Sequence, residues 1–369
     1  MNTLVWVGFS QSLFVAVLMF TKRGSSFSDK ILSAWLVLSA VEFMTCGLDY
    51  EIFGKPLLSS SFLLFNPALY LYVQSLTRSG FELKYRQLLH LLPFVLFETC
   101  AYVIKEPVSL DVFFVYDHNL YFRILFAIAN LLSWMVYNPL SIKLVHKYRI
   151  NLRNERSNIG KNENLGWILA VAIFYVVYCL LAIIISAAVI YFQLNPLIPH
   201  VYNYIMLLFM VYVMGFYGLR QQVVPRHLQI EKTASYKNSL LNADEKQQIQ
   251  KKIVDFFEKE QAFLNPDLNM DALSEELKIP KYQLTEVLNT QIGKNFFQFV
   301  NSYRVEAVKR MLVDPNNKYS IEAIGYECGF SSKSAFYSVF KNVTNQTPVG
   351  YKNSRSGSAG SPFLKGITF

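Results

Sequence analysis

The stretch from Leu165 to Phe192 narrows the possible folds more than any other part of this chain. It runs for 28 residues without a charged side chain. About 20 apolar residues in a helix cross the roughly 30 Å hydrocarbon core of a bilayer. A helix that is apolar on every face has no side to turn toward water. Six further runs of this kind lie in the first 220 residues. The seven expected spans are Leu4–Phe20, Ile31–Phe53, Ser59–Leu76, Leu88–Ile104, Asn119–Leu140, Leu165–Phe192 and Val201–Leu219. Pro93 and Glu98 interrupt the fourth. Charged residues make up 17% of the chain, against about 25% in soluble globular domains, and beyond residue 220 they are scattered throughout. The sequence reads as a membrane half followed by a soluble half.

Lys and Arg placement gives the expected orientation. The first connection carries Lys22, Arg23 and Lys30, and the third carries Arg78, Lys84 and Arg86. The fifth carries Lys143, Lys147, Arg149, Arg153, Arg156 and Lys161. The alternate connections hold Lys55, Lys105 and, across Gln193–His200, no positive residue. Odd-numbered connections should therefore face the cytoplasm, with the N-terminus outside and the C-terminal half inside. The expected location is a bacterial cytoplasmic membrane crossed several times. The outward connections are too short to fold as a ligand-binding domain. A signal would have to enter through the bundle, as a small molecule, a lipid, a membrane-protein partner or a property of the bilayer.

Polar residues within spans are costly unless paired. Glu42, Asn66, Gln74, Glu98, Asn130 and Asn138 are of this type. Glu42, Glu98 and Asn130 are the candidate sensor positions. Interhelical hydrogen bonding is the structural alternative, particularly for the amides. Pro67, Pro139, Tyr175 and Tyr178 read as helix shaping and packing. The cysteines, Cys46, Cys100, Cys179 and Cys328, have no metal-type spacing and read as small apolar residues.

Residues 221–243 form an expected juxtamembrane linker, in which Pro225 interrupts any helix running out of the seventh span. A helical pattern resumes at Asp244–Phe263, with Ile249, Ile253, Phe256 and Phe257 on one face. From Pro266 to Lys352 the chain reads as short helices in two similar tight-turn units. In the first, Met270–Leu277 and Lys281–Gln291 flank Lys278-Ile279-Pro280, with Leu273, Leu277, Ile279, Leu284, Val287 and Leu288 as its core. In the second, Ser320 is an N-cap, Gly329 supplies a left-handed turn, Phe330 fills the angle between helices, and Lys333–Val343 follows. Phe296–Leu312 connects the two. The tail, 354–369, reads as disordered.

Gly293 with Phe296, Tyr303-Arg304-Val305-Glu306-Ala307, Ser320-Ile321-Glu322-Ala323-Ile324, Gly329-Phe330-Ser331-Ser332, Phe336, Phe340-Lys341 and Thr347-Pro348 stand in the order and spacing of the AraC-type signature. Over 244–353 the chain thus resembles AraC-type transcription regulators, in the layout of membrane-bound members of that family. The resemblance implies two helix-turn-helix units whose second helices enter the major groove. By position it implies DNA contacts from Lys281, Tyr282, Thr285 and Glu286, and from Lys333, Ser334, Ala335 and Ser338. Lys294, Lys341, Lys352 and Arg304 are candidates for backbone contacts or structural pairs, Arg304 being the more structural. The sequence departs from the pattern at Asn345, Lys278, Pro280 and Gly325.

The expected fold class is all-α: a seven-helix transmembrane bundle, 1–220, followed by the cytoplasmic DNA-binding domain. Between Pro266 and Arg355 there are 11 Lys and Arg against 9 Asp and Glu, a net of only +2. Phosphate neutralisation dominates non-specific binding, so affinity should come from two units per chain and from a homodimer on paired sites. The expected partners are double-stranded DNA, the bilayer, a second copy and the unidentified signal. No cofactor or metal is expected, and no catalytic constellation is present in the sequence. The alternative reading is a receptor or transporter whose C-terminal helices bind protein.

Overall fold

In the computed structural model the described residues are 2–356 apart from 79, 109, 114, 161–162 and 222–240. Among them the extended pairings are two isolated bridges, Leu57 with Pro107 and Arg156 with Asn269; the rest of the regular structure is helical, as the all-α expectation requires. The chain divides into two compact units. The first takes the chain up to Tyr148 and again from Leu165. The second takes Arg149–Asn164 together with the C-terminal part. The expected linker lies almost wholly outside the described residues.

The first unit contains α1 (Asn2–Phe20), α2 (Phe27–Phe53), α3 (Phe62–Thr77), a 3-10 turn at Tyr85–Leu91 leading into α4 (Leu92–Ile104), and a short α5 (Leu110–Phe113). It continues through most of α6 (Leu120–Glu155), then α7 (Gly166–Tyr191) and α8 (Ile198–Arg220). Ser26 and Asp29 open α2 with a reciprocal capping box, each side chain taking the other's backbone N–H. Gly8 lets α1 lie against α2, since a Cβ there would overlap the Phe43 ring. Lys22 does more than mark an orientation. Its ammonium pairs with Asp29 at 3.0 Å and donates to the carbonyls of Gly218 (3.1 Å) and Gln221 (2.7 Å). Carbonyls in the last turn of a helix lack intrahelical partners, and a cation there also meets the negative end of the α8 dipole.

Six helical stretches among the described residues are long and apolar enough to cross a membrane: Thr3–Phe20, Phe27–Phe53, Tyr85–Ile104, Leu120–Glu155, Gly166–Tyr191 and Ile198–Arg220. The third expected span, Ser59–Leu76, is shorter than its sequence suggested. α3 has 16 residues, a length of roughly 24 Å at 1.5 Å per residue. The cause is local. The Ser60 N–H donates to Glu98 Oε2 (2.8 Å), and the hydroxyls of Ser59 and Ser61 donate to Glu42. The three serines direct their donors to carboxylates, and the helix opens only at Phe62.

The second unit contains α9 (Ala243–Lys259), a 3-10 turn at Ala262–Leu264, α10 (Met270–Leu277), and α11 (Lys281–Val287) ending in a π turn at Leu288–Ile292. It closes with α12 (Phe296–Val313), α13 (Ile321–Glu327), α14 (Lys333–Thr344) and α15 (Pro348–Ser356). α15 runs three residues into the tail expected to be disordered; the remainder of that tail lies outside the described residues. One apolar core joins all of these elements. Leu273, Ile279, Leu284, Val287 and Leu288 are buried in it as expected, with Leu277 packed at its edge. Cys328 is buried there too, and burial pushes its thiol up to about 11, so it stays a neutral apolar group. All four cysteines are free.

Phe257 of α9 is fully buried, with its ring 4.8 Å from that of Phe299 and 5.3 Å from that of Tyr303. This contact ties α9 to α12, the helix that connects the two helix-turn-helix units. Phe257→Ala should destabilise the unit by about 3–5 kcal/mol. Urea-dependent loss of amide protection in α9 and α12 of the full chain measures this.

Candidate DNA-binding surface

In the first unit of helices, Asn269 caps α10 by accepting from the Ala272 N–H, and Lys278 turns the chain in the left-handed region, φ 53°. Pro280 leads into α11 without a side-chain cap. Lys281 and Tyr282 stand at the start of α11, Tyr282 exposed and Lys281 half-buried. Lys281 pairs with Asp271 and reaches Glu155 at 3.5 Å. Burial works against its charge, but Asp271 and Glu155 outweigh it and hold the ammonium above its ordinary pKa.

Thr285 and Glu286 do not offer themselves to a groove. Both are buried. Thr285 Oγ1 donates to the Lys281 carbonyl (2.8 Å), and Glu286 pairs with Lys246 of α9 at 2.8 Å. The family position carried Glu286 to the DNA face; the structure turns it inward, toward a lysine on α9. Nothing in the local pattern of α11 announces that partner. A carboxylate at a position meant to face phosphate was the available sign.

The second unit is more open. Ser320 caps α13 and Ser332 caps α14, accepting from the N–H groups of Ala323 and Ala335. Gly329 takes φ 87°, and a Cβ there would meet the Phe263 carbonyl and Arg304 Nε. Lys333, Ser334, Ser338 and Lys341 are exposed along α14, while Ala335 is half-buried. Residues 334, 338 and 341 fall on one helix face. Lys333 pairs with Glu322 of α13, which raises its pKa, and lies over the Tyr337 ring. Of the candidate contact residues, Lys333, Ser334, Ser338 and Lys341 of α14 and Tyr282 of α11 are exposed, and Lys281 of α11 is half-buried. Asn345 ends α14 at φ 58°, a conformation that asparagine tolerates. Lys294 reaches Ser302 Oγ at 3.3 Å, and Arg304 is fully buried.

Of the candidate sensor positions, two converge on one stretch. Glu42 of α2 is buried and accepts from Ser59, Ser61 and, at 2.7 Å, Tyr204 of α8. Glu98 of α4 accepts from the Ser60 N–H and hydroxyl. Asn130 stays apart, its amide donating to Phe126 on its own helix. Asn66 bonds Ser133 across helices at 3.1 Å. The sequence reading passed over Arg123, which is buried and pairs with Glu106 (2.7 Å) and Asp117 (2.8 Å). It stands four residues into α6, where the apolar run hid it.

Comparison with known proteins agrees with this geometry. A family model described as a helix-turn-helix domain matches residues 273–354, from within α10 to within α15. This part of the chain is an AraC-type helix-turn-helix domain. An uncharacterised HTH-type transcriptional regulator of Staphylococcus aureus strain COL is 29% identical over 126 residues, covering 34% of this chain and 16% of the relative. Another, from Pseudoalteromonas carrageenovora, is 28% identical over 90 residues, covering 24% of this chain and 52% of the relative. The chain thus spans from about a sixth to about half of the length of these relatives. A solved protein of unknown function from Listeria innocua aligns with TM-score 0.26 and 24% identity, over 29% of this chain and 95% of its own.

The exposed and the buried candidates should separate in a binding assay. Lys333→Ala should weaken binding of the full chain to its target DNA by roughly 5- to 150-fold, the range of about 1–3 kcal/mol for one specific base contact. Glu286→Gln should leave sequence preference unchanged while destabilising the second unit by about 1–3 kcal/mol through its charged hydrogen bond. Fluorescence anisotropy on variant target duplexes distinguishes the two.

Proposed function

We propose that the chain is a membrane-anchored transcription regulator. In this reading α14 and the start of α11 read DNA on the cytoplasmic side, under the control of a signal that enters the helical bundle. The observation that carries it is the union, in one chain, of an AraC-type domain with six helices long and apolar enough for a bilayer. The alternation of basic and charge-poor connections supports an outside N-terminus. That orientation needs an odd number of crossings, and α3 is the seventh. At roughly 24 Å, α3 spans a core that thins locally around it. The buried Glu42 and Glu98, bonded to the serines that precede α3, make this end of the bundle the favoured point of signal entry.

The modest charge of the DNA-binding domain favours action as a homodimer on paired half-sites, where two weak attachments reinforce one another. Full chain in lipid nanodiscs should bind DNA from its own upstream region more tightly than random DNA, across a salt series. Equal and negligible binding to both would remove the DNA-reading role. For the topology, single cysteines at Lys55 and at Lys84 can be placed in a chain whose four native cysteines are replaced. A membrane-impermeant thiol reagent applied to whole cells should label the cysteine at position 55 and spare the one at position 84. Labelling of both, or of position 84 alone, would contradict the seven-crossing arrangement.

A further inference from the structure

Arg304 of α12 is fully buried, yet among the described residues it makes no salt bridge to a carboxylate. Its guanidinium donates instead to four oxygens. Two are the carbonyls of Phe263 (2.7 Å) and Asn265 (2.9 Å), close by in the fold of the C-terminal part. The other two come from a residue 147 positions earlier: the Ser157 carbonyl (3.2 Å) and the Ser157 hydroxyl (3.1 Å). The same Ser157 carbonyl accepts from the Asn301 amide at 2.9 Å, and the Ser157 hydroxyl donates to the Leu268 carbonyl at 2.5 Å. Asn158 donates to the carbonyls of Pro266 (2.7 Å) and Gly329 (2.9 Å). Arg156 pairs as an antiparallel bridge with Asn269, the cap of α10. Glu155 reaches Lys281 at the start of α11.

Four consecutive residues are thus held by backbone and side-chain partners drawn from both helix-turn-helix units and from the helix that links them. Ser157 is fully buried in that slot. A surface loop resting on a neighbour does not fill a guanidinium's hydrogen-bonding needs, and a buried arginine deprived of acceptors is strongly destabilising. We propose that the DNA-binding unit contains a peptide-binding slot, formed by Phe263–Asn269, Asn301, Arg304 and Gly329, whose occupant is Glu155–Asn158 from the connection between α6 and α7. The slot takes a short peptide that offers a backbone carbonyl and a serine hydroxyl to Arg304, followed by a carboxamide. Occupation completes the DNA-binding unit. The occupied state, with that unit complete, is the one that binds DNA tightly. The connection continues directly from α6 and leads to α7. A change in either helix therefore reaches the reading surface through this slot, and through the covalent chain after α8.

This inference rests on the proposed DNA-binding role, and one of its readouts is independent of DNA. In full chain in nanodiscs, residues 155–160 are replaced by a Gly/Ser segment of equal length. The replacement should abolish slow amide exchange around α10 and α12. It should also weaken specific DNA binding at least tenfold, and a synthetic peptide of residues 149–164 should restore both. The peptide carrying Ser157→Ala and Asn158→Ala should restore neither. Unchanged exchange in the replaced chain would overturn the slot, whatever happens to DNA. Lost protection accompanied by unchanged or tighter DNA binding would overturn the claim that occupation favours binding. Absence of specific DNA binding by the unaltered chain would instead count against the regulator reading, with the exchange result still deciding whether the slot exists.

Discussion

A guanidinium carries five N–H donors and a charge, and it can be dry only where acceptors surround it. Arg304 meets that requirement with oxygens alone. Burial draws its pKa down to about 10, which still leaves it charged at neutral pH. Its neighbours are fixed accordingly. The 3-10 turn at Ala262–Leu264 presents the Phe263 carbonyl to it, and Gly329 must lack a side chain so that this carbonyl and Arg304 Nε can come close. Gly329 in turn sets Phe330, whose ring lies 5.3 Å from that of Phe336 on α14. The placement of α14 thus follows in short steps from how protein oxygens solvate one buried cation.

The two candidate lysines at the starts of α11 and α14 are already paired within the protein. Lys333 is matched by Glu322, and Lys281 by Asp271 and Glu155. The charge of each lysine is available to phosphate or a base edge only by exchange of partner. That arrangement accords with the net charge of +2 over the domain. So low a net charge offers little phosphate neutralisation, the term that dominates non-specific binding.

Much of this was legible in the sequence because the residues concerned act locally. Ser320 caps a helix by bonding three residues on, Gly329 turns left-handed, and the apolar spacing of α10 and α11 places Leu273, Leu284 and Val287 inside. The long apolar runs announce their helices by composition alone. What stayed hidden depends on partners distant in the chain. Glu286 reads as a groove residue until Lys246 of α9 is brought to it. Ser59–Leu76 reads as a full span until Glu42 and Glu98, from two other helices, take the donors of its first three residues. Ser157 and Asn158 have no apolar pattern at all, and their roles exist only once α12 and Gly329 are in place.

Lys22 shows how a basic residue can hold two duties. Mapping by charge treats it as one count among several on a cytoplasmic connection, yet it also closes the end of α8. The docked Glu155–Asn158 segment extends the same lesson to gene architecture. A single crossover point after α8 would take the C-terminal part of the second compact unit away without Arg149–Asn164. Here such a crossover would leave behind four residues that the reading domain uses as its own. A viable exchange must carry two separated stretches of the gene, so recombination at one point is penalised. The two compact units are thereby interleaved in the sequence, the second owning a stretch that interrupts the first.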